Sequence, residues 1–292
     1  MRRRFLAALC AVVALPALAF AATSGVPDVW ILPAETEGSA PNPSICQAIA
    51  RATPPPSGPL VASTDGAPAA LGPYEVGIRF SGHSTYVIES AGGVRAATDY
   101  HGWLNGDERL PTIVTMNQAH STHHTMSPDP AIPHPLYGWD PTGGNGGRAA
   151  HHITVEDMTV RNVTTDIRRF SNIPDGNSIF IFEVGGLCIG HLGHLHHMPT
   201  DAQFAEIGRL DVLMVPVDGG LTLSHQGMSD LVKRLRASIV LPMHLRSYNA
   251  LPRFLEMMGG EFRLERPRAE RLVVSLRNLP KEPTIVLLPN LN

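Results

Sequence analysis

The sequence predicts an α/β (α+β) fold in which two β-sheets pack together with helices outside. Three features carry the prediction. Short β-prone runs follow one another through the first half of the chain, separated by turn residues. Strand-like and helix-like runs then alternate, which is the pattern of a sheet with helices on its face. Several of the later strand-like runs, such as "VLMVPV" and "SIVLPM", are apolar throughout, as strands covered on both faces are.

The elements follow in order. "YEVGIRF", "STYVIES" and "GVRAATD" are strands joined through "SGH" and "AGG", a meander signal. "PTIVTM" is a further strand that runs into "NQAHSTHHT". Residues 128 to 147 are rich in Pro and Gly and read as a loop, with "PTGGNGGRAA" as a flap near the site. "HHITVEDMTVRNV", "NSIFIFEV" and "LCIGH" continue the strands. Thr200 to Gly208 reads as a helix with Thr200 and Gln203 as a capping box. "DVLMVPV" is a strand, Ser224 to Arg236 a helix, "SIVLPMH" a strand and Leu251 to Met258 a helix; "RLVVSL" and "TIVLLP" close the chain.

The N-terminus has a different character. A cationic start (Arg2 to Arg4), an apolar run from Phe5 to Phe20 and the small-x-small site Ala19-Phe20-Ala21 read as a secretory signal over residues 1 to 21. The run is short and lacks a stop-transfer flank, so no stable membrane insertion is expected after the signal is removed. The expected location is the periplasm or outside the cell. Residues 22 to 73 are a Pro/Ala-rich leader, with "NPSICQAIARA" as a short helix, and residues 74 to 292 are the folded domain. In an oxidising compartment Cys46 and Cys188 either pair or leave Cys188 as a small buried hydrophobe. The net charge of −3, with two lysines (Lys233 and Lys281), gives no electrostatic footprint for nucleic acid.

Of the 14 histidines, the informative ones end strands: "TIVTMNQAHSTHH", "LCIGHLGHLHH" and "SIVLPMH". Imidazoles at three strand ends can converge on one point, and neutral imidazoles bind divalent metals. His134, His225, His151 and His152 read as surface or loop residues. No nucleophile elbow, dinucleotide fingerprint, P-loop or zinc-ribbon spacing competes with this chemistry.

The ordered set "GHSTYVIES", "QAHSTHH", "GHLGHLHH", "VLMVPVDGG" and "IVLPMH" resembles the metallo-β-lactamase superfamily, in its Zn-dependent hydrolase branch that includes L-ascorbate-6-phosphate lactonase-like proteins. The resemblance covers residues 75 to 250 and implies a four-layer αββα sandwich with one or two metals between the sheet edges. The family signature His-x-His-x-Asp-His aligns with Gln118-Ala119-His120-Ser121-Thr122-His123, so only His120 and His123 match. The family's later His-Leu-Gly-Asp becomes His191-Leu192-Gly193-His194, which removes the bridging carboxylate, and His244 matches the final histidine.

The resemblance implies the metal ligands His120, His123, His191, His194 and His244. They divide into a complete pocket of His123, His194 and His244 and a weaker one of His120 and His191. Gln118, His101 and Asp99 are the additional candidates for the weaker pocket. Asp99 could also orient a ligand, His83 fits a supporting position, and Asp218 is a loop acid that could be structural. His124, His196 and His197 could line the rim, and Trp103 and Trp139 could wall the site. Three neutral ligands leave the ion's charge unreduced and favour an acidic bound water.

The expectation is therefore a divalent transition metal, Zn2+ first, with one ion held tightly, and a hydrolase for a small-molecule ester, lactone, amide or phosphodiester. Arg246 and Tyr248 are candidates for contacting an anionic group, with His83 beside them as a catalytic candidate. The alternative is a metal-binding protein of the same fold with little hydrolytic activity.

Overall fold

The computed structural model describes residues 44–47, 61–62, 70–142, 148–168 and 171–291. The signal segment, most of the leader and the centre of the flap, residues 143–147, lie outside them; of the expected leader helix only residues 44–47 are described, and they form bends. One sheet has seven strands: β1 (Val61–Ala62), β2 (Val76–Phe80), β3 (Tyr86–Glu89), β4 (Arg95–Ala97), β5 (Ile113–Met116), β6 (His134–Tyr137) and β14 (Arg271–Val274), in the order β1-β14-β2-β3-β4-β5-β6. The other has eight: β7 (His152–Val155), β8 (Met158–Arg168), β9 (Asn172–Val184), β10 (Leu187–His191), β11 (Val212–Pro216), β12 (Ile239–Met243), β13 (Arg263–Glu265) and β15 (Thr284–Val286). Their order is β13-β15-β12-β11-β10-β9-β8-β7, and β10, β11, β12 and β15 run parallel.

Period-2 alternation sorts the apolar side chains into layers. Ile78, Tyr86 and Ile88 from the first sheet meet Phe180, Phe182, Ile189, Met214 and Leu241 from the second, and this is the inter-sheet core. The intervening residues of the second sheet, among them Ile179, Ile181, Leu213 and Val240, face outward onto helices α2 (His225–Leu235) and α3 (Ala250–Met258). The outward side chains of the first sheet, Val87, Ala97, Val114 and Met116, are covered by Tyr100, Leu104, Ile132 and Trp139. Full burial of such a side chain contributes roughly 1.5–3 kcal/mol. The Tyr86 hydroxyl crosses the core to donate to the Pro242 carbonyl at 2.8 Å, which satisfies its polar end.

The three helices expected within the domain form. At α1 (Asp201–Ile207) the Thr200 hydroxyl accepts from Gln203 N while Gln203 Oε1 accepts from Thr200 N, the reciprocal pair read from sequence. Strand β6 is a correction, since it lies inside the stretch read as a loop. Its Pro135 hides it from a strand reading, yet β6 is an edge strand, where a missing N–H is tolerated. Strand β13, on the far edge of the other sheet, is likewise absent from the sequence reading.

The leader is tied to the domain where it is described. Cys46 and Cys188 form a disulfide with a Cα–Cα distance of 5.8 Å. The buried Glu183 carboxylate accepts from Ser44 Oγ, Ile45 N and Arg161 Nε. No helix among the described residues is long and apolar enough to cross a membrane.

Candidate metal centre

The site lies at one edge of the sandwich, where several strands end. After β5 the chain closes on itself: Asn117 N donates to His123 O, and His123 N donates to His120 O. This turn brings His120 and His123 close, with ring centroids 4.5 Å apart. Buried Asn117 also joins the sheets, donating to Asp99 Oδ1 and accepting from Ser178 N. His83 occupies the β2–β3 turn, closed by Thr85 N donating to Gly82 O. His244 follows β12, and its N–H donates to the His83 carbonyl at 2.8 Å. His83, Asp99 and His244 all have left-handed backbones, with φ of 48°, 42° and 56°. Such conformations are costly for residues with a Cβ and cluster at functional sites.

His83, His120, His123 and His244 each offer one ring nitrogen, and these four atoms lie within 4.8 Å of one another. Carboxylates set the tautomers of two of them. Buried Asp99 Oδ2 accepts from His123 Nδ1 at 2.5 Å, and Asp218 Oδ2 accepts from His244 Nδ1 at 3.0 Å. In each case the Nε2 lone pair is left facing the cluster, the arrangement by which a carboxylate behind the ring prepares an imidazole to bind metal. Thr122 Oγ1 lies 2.8 Å from His120 Nδ1 and holds that ring similarly. His120 Nε2 and His244 Nε2 are 3.4 Å apart. Two imidazoles on one tetrahedral ion with bonds of about 2.0–2.1 Å have their nitrogens about 3.3–3.4 Å apart.

The electrostatics agree with this arrangement. Burial, followed by the neighbouring imidazoles, pulls His83 down to about 3, His120 to about 4 and His194 to about 2. Burial alone would raise the Asp99 carboxyl, but His123 and His191 and the hydrogen bonds from His123 and Asn117 outweigh it and hold Asp99 at about 2. Burial also opposes ionisation of Asp218, yet hydrogen bonds from His244, Thr222 and the Gly220 backbone drive it well below the usual carboxylate range. Neutral imidazoles backed by ionised carboxylates are the form a divalent metal needs.

The structure regroups the residues named from sequence. His120, His123 and His244 come together, but their fourth member is His83, which the sequence placed in a supporting role. His194 stands beside them, its ring 4.8 Å from that of His244, and neither of its nitrogens has a hydrogen-bond partner among the described residues. His191 is a correction: its Nε2–H donates to Ser84 O and its Nδ1 accepts from Gly193 N, so both ring nitrogens are used. It lies on the inner face of β10 in register with Leu187 and Ile189, where it ties the sheets together. Gln118 turns toward β9, its Oε1 3.3 Å from where a Cβ on Gly176 would stand. His101 lies outside the quartet, and Asp99 stands behind His123 and outside the set of facing nitrogens.

A cleft of about 290 Å³ adjoins the cluster, lined by Ala119, His120, Ile167, Arg168, His194, His196 and Leu221. The loop after β12 carries Arg246 and Tyr248 to the surface, outside this lining, with Tyr248 fully exposed. Trp103 is also exposed, and Trp139 packs under β5 with its ring 5.3 Å from that of His124. His196 belongs to the lining, whereas His197 is exposed.

Residues 77–244 match the family model described as the beta-lactamase superfamily domain. The chain belongs to the metallo-β-lactamase superfamily. A superfamily structure from Thermotoga maritima aligns with a TM-score of 0.51 at 24% identity, over 73% of this chain and 98% of that one. A UPF0173 protein of Pyrococcus furiosus is 36% identical over 66 residues, 22% of this chain and 30% of that protein. A UPF0173 protein of Pyrococcus abyssi is 31% identical over 100 residues, 34% of this chain and 44% of that protein. The matched stretches thus span less than half the length of either relative. Of the residues aligned with the superfamily signature, His120 and His123 join the quartet with His83, and the His194 ring stands 4.9 Å from that of His123.

Proposed function

We propose that this superfamily member is an exported metal-dependent hydrolase that acts on an ester, lactone, amide or phosphodiester of a small molecule. One transition ion, best matched by Zn2+, is held by His83, His120, His123 and His244. The observation that carries this reading is the quartet of converging ring nitrogens, two of them oriented by ionised carboxylates. Buried His83 Nε2 and His123 Nε2 have no hydrogen-bond partner among the described residues, and a cation is the partner that fits them. When bound, such an ion supplies Lewis acidity, polarising the scissile group and acidifying water.

The chain supplies the rest. Asp99 and Asp218 fix the rings of His123 and His244 and keep their Nδ1 protons. Ile167 and Leu221 give the cleft an apolar wall that limits water beside the reacting group. The Cys46–Cys188 disulfide supports export, since such bonds persist in oxidising compartments. A second reading, metal capture with little hydrolysis, is favoured by the quartet's lack of any carboxylate member. Elemental analysis followed by a panel of chromogenic esters, lactones and phosphodiesters separates the two. Close to one ion per chain with zinc-dependent turnover supports the hydrolase. One ion with no turnover on any substrate supports capture.

A further inference from the structure

We infer that Arg168 selects substrates bearing an oxyanion group, a carboxylate or a phosphate, placed beside the bond to be cleaved. The inference rests on the hydrolase reading and deepens it by naming the substrate class. Among the described residues, Arg168 is the one charged residue of the cleft lining, which contains no acid. Its guanidinium has no hydrogen bond or ion pair among the described residues. Most other arginines of the domain do, including Arg79, Arg95, Arg109, Arg161 and Arg234. Arg168 shares the lining with His196. From there the path to the metal centre is short, because the His196 and His194 rings are 4.8 Å apart and those of His194 and His120 5.2 Å.

The backbone is irregular beside this residue. Strand β8 pairs Thr165 with Asn177 and Ile167 with Ile173, so Asp166 alone faces residues 174–176. Asp166 holds the bulge by accepting from Asp175 N, and Asp175 also accepts from Thr164 Oγ1. The extra residues lie in β9, and the irregularity comes immediately before Ile167 and Arg168, which resume the pairing opposite Ile173 and Asn172 at the end of β8. Gly176 is part of the same device: a Cβ there would fall 2.2 Å from Ile167 Cγ2. A cation at one end of a small cleft, with a metal centre at the other and no acid between, complements a substrate whose anion lies next to its scissile group.

Zinc-loaded protein should therefore be compared on the 4-nitrophenyl half-ester of glutaric acid, its neutral methyl ester and the matching phosphonate. The wild type should prefer an anionic ester in kcat/KM by about tenfold to a hundredfold, as expected for a charge-assisted contact. Arg168→Gln should remove that preference mainly through KM and leave the neutral ester within about twofold. Arg168→Lys should keep part of it. The carboxylate and phosphonate arms show which anion is favoured. Equal losses on charged and neutral esters, or no preference in the wild type, would overturn the inference. Should neither these esters nor the lactone, amide and phosphodiester substrates be turned over, the hydrolase reading fails by itself, and equilibrium binding of glutaric acid monoanilide to the zinc-loaded protein then decides. Weaker binding in Arg168→Gln upholds the anion site, and equal binding overturns it.

Discussion

Individual histidines in this chain do different work according to what holds their second nitrogen. His123 and His244 give Nδ1 to a carboxylate and leave Nε2 facing the cluster, whereas His191 spends both nitrogens on the backbone. Replacing His120, His123 or His244 with Ala should therefore abolish tight zinc binding, with His120 no weaker in effect than His244. His191→Ala should leave zinc stoichiometry intact while lowering stability by about 1–3 kcal/mol, since the Ser84 carbonyl loses its donor. Zinc titration beside chemical denaturation measures both quantities. Zinc loss in His191→Ala with unchanged stability would reverse the assignment. Asp99→Asn should weaken zinc binding by about 10–100-fold, the usual cost of losing the carboxylate that orients a ligating imidazole.

Elements place these residues through their ends and irregularities more than through their regular parts. Helix α1 forms where its capping box predicts it, and Thr200→Ala should cost about 1 kcal/mol in denaturant melts without touching zinc affinity. Between β10 and His194 the chain makes a tight turn at Gly193, with φ of 61°. A Cβ there would lie 2.4 Å from Asn117 Nδ2 and 2.5 Å from Asn177 Oδ1. Those amides orient Asp99 and hold the His194 backbone. Gly193→Ala should thus lower both melting temperature and zinc affinity, and loss of stability alone would mean the turn does not position the site.

Across the whole molecule, two sheets meet over one core, and the leader is anchored to the outer face of the second sheet by a disulfide spanning 142 residues of sequence. Removing it with Cys46→Ser and Cys188→Ser together should destabilise the domain by about 2–4 kcal/mol. Zinc content should be unchanged, because the bond lies in the layer away from the quartet. A melting temperature equal to that of the parent would show that Glu183 and its hydrogen bonds hold the leader without the disulfide.

The sequence by itself determined the fold class, most strand and helix positions, the α1 cap and the convergence of histidines. These depend on local periodicity and on short motifs carried within one segment. It could not assign partners. The Cys46–Cys188 bond, the role of Asp218 behind His244, the entry of His83 into the quartet and the withdrawal of His191 join segments far apart in the chain. A histidine that ends a strand looks the same in sequence whether its nitrogens face a neighbouring carbonyl or a metal. That choice is made by tertiary packing, which alone decides what stands within hydrogen-bonding distance of each ring.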